Sequence, residues 1–255
     1  MTQRLLGKTA LVTGATSNIG RAIALRFAAE GAHVIVSGRD ETRGQAVVRS
    51  IRADGGRADF IAVDLDGSPE ASRELAERAL AALGGTLDIL VNNAGIFPPA
   101  TTLTADAGMF DRVYGVNVKA PFFLTQALAP VMEARGGGTI VNLGSWVARL
   151  SLPVGALYAS TKAAMETLTR AWSAEFAAAG IRVNAVSPGV ISEPGQEGTS
   201  AGRSGGFMAG TPAGGPGGPD AIAAAVTYLA SDEAAFVHGT VLDVDGGRTG
   251  IAVVA

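Results

Sequence analysis

Tyr158 and Lys162 stand four residues apart in the run Tyr158-Ala159-Ser160-Thr161-Lys162, near the start of a helical pattern that begins at about residue 157. At that spacing two side chains share one helix face, and their heads can point at the same place. A phenol ordinarily ionises near pH 10, and a neighbouring ammonium favours the phenolate, so the pair is a candidate proton donor. Chance pairs of this kind are common in helices; this one draws on only three tyrosines and three lysines in the whole chain. Ser145, thirteen residues earlier at the end of an apolar run, adds a hydroxyl. A second constellation lies near the N-terminus, where Thr13-Gly14-Ala15-Thr16-Ser17-Asn18-Ile19-Gly20 follows an apolar strand and opens a helical pattern. A turn of that type brings bare backbone close to a pyrophosphate, whose charge then meets the unpaired N–H groups at the helix start. A tight strand-to-helix turn without a ligand would need the same glycines, and it is the flanking strand and helix that favour a dinucleotide.

The elements that must position these residues are legible as a pattern. Strand-length apolar runs occur at 9–13, 33–37, 59–63, 87–91, 139–143, 182–186 and 240–244. Helical patterns lie between them, from Ile19 to a capping Gly31 and over about 41–54, 69–83, 107–135, 157–179 and 219–230. Strands apolar along most of their length, joined by long crossovers, predict a seven-stranded parallel sheet covered by helices on both faces, a doubly wound (Rossmann-type) α/β fold. Residues 1–255 read as one domain. Within it, 195–218 holds ten glycines with Pro212 and Pro216, and a structureless insertion of that kind is expected to form a mobile lid at about 190–218.

Composition removes several function classes. The net charge is −3, which leaves no positive surplus for a nucleic acid or an anionic membrane. There is no cysteine and only His33 and His238, so a disulfide, a zinc finger and a His-rich metal cage are excluded and no metal is expected. No apolar run reaches the ~18–20 residues of a membrane helix, and residues 1–13 lack a secretory pattern; the expectation is a soluble, cytoplasmic protein.

Taken together, the motifs resemble a classical short-chain dehydrogenase/reductase over essentially the whole chain. Thr13 to Gly20 is similar to that family's TGxxxGxG turn, Asn92-Asn93-Ala94-Gly95 to its NNAG motif and Tyr158 to Lys162 to its YxxxK. Asn117, Ser145 and Ser187-Pro188-Gly189 match in order and spacing.

The resemblance implies hydride exchange between a nicotinamide and a carbonyl/alcohol pair, with Tyr158 as acid or base and Ser145 bonding the substrate oxygen. Lys162 would assist the phenol and hold the nicotinamide ribose, and Asn117 would hold a water that links Lys162 to solvent. It also implies cofactor contacts at Gly14, Thr16, Ser17, Asn18, Ile19 and Gly20 in the turn, Asp64 and Leu65 after the third strand, and Asn93, Ala94 and Gly95 after the fourth. Pro188, Gly189 and Ile191 complete the set, while Asn92 is read as tying strands together. Two departures stand out: Asn18 replaces the middle glycine, and Glu193 takes the slot of a threonine that bonds the nicotinamide carboxamide. At the end of the second strand, where an acidic residue selects NAD, the chain has Gly38 followed by Arg39, which points to NADP(H), with NAD(H) as the alternative should Asp40 serve a ribose. Phe97, Trp146 and Leu152 are expected to line the substrate pocket, with Phe207 and Met208 beside them and Arg149 the nearby cation. The expected reaction is reduction of a small-molecule ketone, a 3-oxoacyl thioester among the candidates. An NAD-dependent alcohol dehydrogenase and a non-catalytic dinucleotide-sensing scaffold are the alternatives. A homotetramer is expected from the resemblance alone.

Overall fold

The computed structural model describes residues 3–150, 152, 155–193 and 204–251. One parallel sheet runs through it, built from β1 (Thr9–Val12), β2 (His33–Gly38), β3 (Arg57–Ala62), β4 (Ile89–Asn92), β5 (Gly138–Leu143), β6 (Ile181–Pro188) and β7 (Val241–Val244). The strand order is β3-β2-β1-β4-β5-β6-β7. Every apolar run of the sequence becomes a strand. Successive side chains in a strand face opposite sides, and the core divides accordingly. Ala10, Val12, Val34, Val36, Ile89 and Val91 pack on one face, under α1 (Asn18–Ala29), α2 (Glu41–Ala53) and α7 (Pro219–Ala230). Leu11, Ile35 and Leu90 pack on the other, under α3 (Pro69–Ala82), α5 (Ala120–Ala134) and α6 (Ala156–Glu175). Both faces are dry, which is why these strands are apolar throughout rather than alternating.

Strand order reverses between β1 and β4. The carboxyl ends of those two strands therefore diverge and leave a crevice, the usual ligand position in a sheet of this kind. No described helix is long and apolar enough to cross a membrane.

Two expectations are corrected. The single helix expected over 107–135 is α4 (Ala107–Tyr114) and α5, joined by a π-helical turn at Gly115–Lys119 that contains Asn117. One widened turn leaves the apolar periodicity almost unchanged, so the pattern does not reveal it. The glycine-rich stretch is also not structureless throughout. Ile191 bridges Gly217, the Ser192 N–H donates to the Gly217 carbonyl at 3.0 Å, and Ser204–Met208 forms a 3-10 turn whose Met208 is buried against Trp146 and Val190. Apolar anchors spaced among the glycines hold these parts. Residues 194–203, which carry part of the expected lid, lie outside the described residues.

Candidate active site

The crevice begins at Thr13, buried one residue past β1. Its hydroxyl donates to the Val91 carbonyl at 3.2 Å and accepts from the backbone N–H groups of Asn93 and Ala94, both at 3.0 Å. The Asn93 amide donates in turn to the carbonyls of Thr13 (2.7 Å) and Gly14 (3.1 Å). The end of β4 is thus stitched to the turn after β1, a task for Thr13 and for the Asn93 side chain that the sequence reading missed. Close approach explains the glycines. A Cβ on Gly14 would stand 2.9 Å from the Ala94 Cα, and one on Gly20 would stand 2.3 Å from the Gly14 carbonyl oxygen. Asn18 adopts φ +45°, a left-handed conformation that asparagine tolerates, and its Oδ1 is buried with no hydrogen-bond partner. Its backbone N–H, at the first residue of α1, donates to Glu193 Oε1 at 3.0 Å.

A cavity of about 430 Å³ opens here. Thr16, Ser17, Asn18, Ile19 and Gly20 line it together with Asn93, Ala94 and Gly95 and with Arg39, Asp64 and Leu65, so the structure brings these candidates of the sequence reading into one cavity. A glycine cradle at a helix N-terminus fits a group carrying a pyrophosphate.

The part of the cavity around Arg39 and Asp64 carries the information on the adenosine side. Gly38 leaves room for Thr16, whose Cγ2 would stand 2.7 Å from any Cβ there, so a side chain at this position would require Thr16 to shift. Arg39 and Arg43 both line the cavity. Arg43, on the first turn of α2, is a second cation that the sequence reading missed; its signal was the Asp40 cap three residues before it. The Asp40 side chain accepts from the Arg43 backbone N–H at 2.9 Å and from its Nε at 2.7 Å, and these bonds hold its carboxyl below the ordinary aspartate range. Asp40 is therefore committed to capping α2 and to Arg43. Arg39 Nε lies 3.7 Å from Asp64 Oδ1.

A second cavity of about 380 Å³ continues from the first. Ser145, Tyr158 and Lys162 line it together with Pro188, Gly189, Ile191, Phe97, Trp146 and Leu152. Ser145 stands two residues past β5 and Tyr158 and Lys162 lie on α6, so three positions distant in sequence line one cavity. Lys162 Nζ is buried and donates to the Leu143 carbonyl at 2.8 Å; it lies 5.7 Å from the centre of the Tyr158 ring. Burial lowers the Lys162 ammonium to about 8. Burial also pushes the Tyr158 phenol up to about 12, against the opposing effect of the Ser145 hydroxyl. The sequence reading expects the ammonium to favour phenolate; burial is the larger influence on the phenol in this structure and favours its protonated form.

Asn117 is buried beside this group. The π turn directs its side chain inward, where Oδ1 accepts from the Ile96 N–H (2.8 Å) and Nδ2 donates to the Ile96 carbonyl (3.1 Å) and to Thr161 Oγ1 (3.1 Å). These bonds occupy both amide hydrogens, so the side chain braces the β4 loop against α6. Asn92 ties strands, as expected: its amide donates to Asn142 Oδ1 at 2.9 Å.

The substrate side is aromatic. The Phe97 and Tyr158 ring centres are 4.6 Å apart, and Trp146 faces Phe207 at 6.1 Å while Arg248 lies 5.3 Å from its ring on a residue the sequence reading did not single out. Arg149 does not serve the pocket. Its guanidinium bonds both oxygens of Asp243 and the Ser187 hydroxyl, and lies 3.7 Å from the buried Glu166.

Comparison with known proteins agrees with the fold. A family model described as "Enoyl-(Acyl carrier protein) reductase" matches residues 14–249. The chain is 36% identical over 244 residues to the 3-oxoacyl-[acyl-carrier-protein] reductase FabG of Thermotoga maritima, covering 96% of this chain and 98% of the relative. It superposes with TM-score 0.90 on a putative NAD(P)-dependent gluconate 5-dehydrogenase from Beutenbergia cavernae with bound NADP, at 37% identity over 98% of this chain and 100% of the other. A 7α-hydroxysteroid dehydrogenase complexed with NADH and 7-oxo glycochenodeoxycholic acid gives TM-score 0.88 at 37% identity, over 96% of each chain.

Proposed function

The chain belongs to the short-chain dehydrogenase/reductase family of oxidoreductases, and from that premise we propose that it uses NADP(H) to reduce an apolar small-molecule ketone. The observation that carries the cofactor choice is the paired Arg39 and Arg43 lining the dinucleotide cavity, with Gly38 in place of a carboxylate and Asp40 already engaged. Guanidinium groups bind a phosphate in bidentate fashion, so two of them favour a 2′-phosphate over a free hydroxyl. A structural neighbour with bound NADP is consistent with that choice.

The cofactor supplies the hydride when bound. Tyr158, protonated at neutral pH because burial disfavours its phenolate, donates a proton to the substrate oxygen as negative charge develops there. Ser145 offers its hydroxyl to the same oxygen. Lys162, mostly ammonium below about pH 8, adds positive charge beside the phenol and would hold a ribose hydroxyl of the cofactor. Asn117 holds α6 and the β4 loop in register. The described walls, Phe97, Trp146, Leu152 and Phe207, favour a ketone with an apolar body over a polyol.

The test is cofactor oxidation with a panel of aryl, alicyclic, 3-oxoacyl-thioester and polyol-derived ketones, run with NADPH and with NADH. We expect the highest kcat/KM for an apolar ketone with NADPH. A preference for NADH refutes the cofactor reading, and turnover confined to polyol-derived ketones refutes the substrate reading.

A further inference from the structure

We propose that Glu193 is a cofactor-affinity determinant: its carboxylate occupies the anion position at the N-terminus of α1 and must be displaced by the incoming diphosphate. This inference rests on the dinucleotide reading above. Its starting observation is the 3.0 Å hydrogen bond from the Asn18 backbone N–H to Glu193 Oε1. Asn18 is the first residue of α1 and lines both the dinucleotide cavity and the catalytic one. Its N–H is among those that a helix leaves without an intrahelical acceptor, and the helix dipole adds positive potential there. A carboxylate is chemically the nearest thing to a phosphate that a protein chain can place at such a point.

The backbone leading to Glu193 is anchored, so the contact is not that of a loose surface side chain. Gly189 N–H donates to the Val244 carbonyl at 3.0 Å, Ile191 bridges Gly217, and the Ser192 N–H donates to the Gly217 carbonyl at 3.0 Å. The end of β6 is thereby held across the crevice from the glycine turn, and the glutamate side chain spans the gap. A diphosphate placed over Gly14 and Asn18 would meet both a competitor for the same N–H and a like charge. Because Ile191 lines the catalytic cavity only two residues away, the competition also couples diphosphate binding to the loop beside the substrate.

The experiment measures binding rather than turnover. Wild type, Glu193→Gln and Glu193→Ala are titrated with NADPH, with 2′-phospho-ADP-ribose, which keeps the diphosphate but lacks nicotinamide, and with adenosine 2′-monophosphate, which lacks the diphosphate. Loss of a charge-assisted competitor corresponds to about a tenfold change. Both variants are expected to bind the two diphosphate probes about tenfold more tightly and the monophosphate unchanged. In ligand-free protein, the Asn18 amide is expected to exchange faster in Glu193→Ala than in wild type. Diphosphate affinity that is unchanged or weaker in both variants overturns the Glu193 assignment while leaving the enzyme reading intact. Equal tightening of all three probes also overturns it, because the effect would then be one of general charge. Failure of wild type and both variants to bind NADPH or NADH overturns the assignment and the dinucleotide reading together.

Discussion

Replacing Lys162 with methionine should change the pH dependence of stability in a way that isolates the cost of the buried ammonium. Lys162 is 5% exposed, and burial moves its pKa from 10.5 to about 8. At 1.36 kcal/mol per pKa unit, holding the charge inside the folded protein at neutral pH costs about 3 kcal/mol. The folded pKa lies below the unfolded one, so between about pH 8 and 10.5 the unfolded chain binds more protons and wild-type stability rises with pH. Below that window both states are charged and the cost is felt in full; above it neither is charged and the cost is gone. Methionine removes this dependence but leaves the Leu143 carbonyl without its donor, a loss of about 1–3 kcal/mol at every pH. The variant should therefore be as stable as wild type or somewhat more so at pH 7, and less stable at pH 10. The difference between the two proteins should swing by about 2–3 kcal/mol over that range. Urea denaturation of both proteins at pH 7, 8, 9 and 10, at one fixed protein concentration, measures it; Tyr158 titrates in both and largely cancels. A difference that stays constant to within about 1 kcal/mol, or that swings the other way, would refute the argument.

Further outcomes follow from the same geometry. Tyr158→Phe should lower kcat by about 10²-fold or more with nearly unchanged NADPH affinity, because it removes a proton and keeps the ring; retention of a tenth of the activity removes Tyr158 from the acid role. The kcat/KM for reduction should fall as pH rises through about 8, where Lys162 loses its proton, and a profile flat from pH 6 to 9 would contradict this. Gly20→Ala should weaken cofactor binding at least about tenfold, since its Cβ would overlap the Gly14 oxygen and the Asn93 amide, each less than 2.5 Å away; calorimetric titration checks it. Arg39→Ala and Arg43→Ala should each reduce the preference for NADPH over NADH, and the double variant should reduce it most; an unaltered ratio of kcat/KM values in the double variant counts against both cations.

Periodicity and motif spacing were enough for the sheet and for most of the site. The central strands β1, β2 and β4 are apolar along most of their length because both of their faces are buried, and that property is written in local sequence. The glycine turn, Ser145, Tyr158 and Lys162 were equally legible, since each motif constrains residue type at a fixed local spacing. What tertiary structure decided depends on which distant groups meet. The π turn that turns Asn117 toward Ile96 and Thr161 costs the pattern a single residue. Arg43 becomes a site residue only because α2 starts beside β2, and Arg149 leaves the site because Asp243, nearly a hundred residues later, claims it. The high Tyr158 pKa and the low Lys162 pKa belong to the same class: residue types set the ordinary values, but desolvation is a property of the folded surroundings and exists only once β5 and α6 have packed.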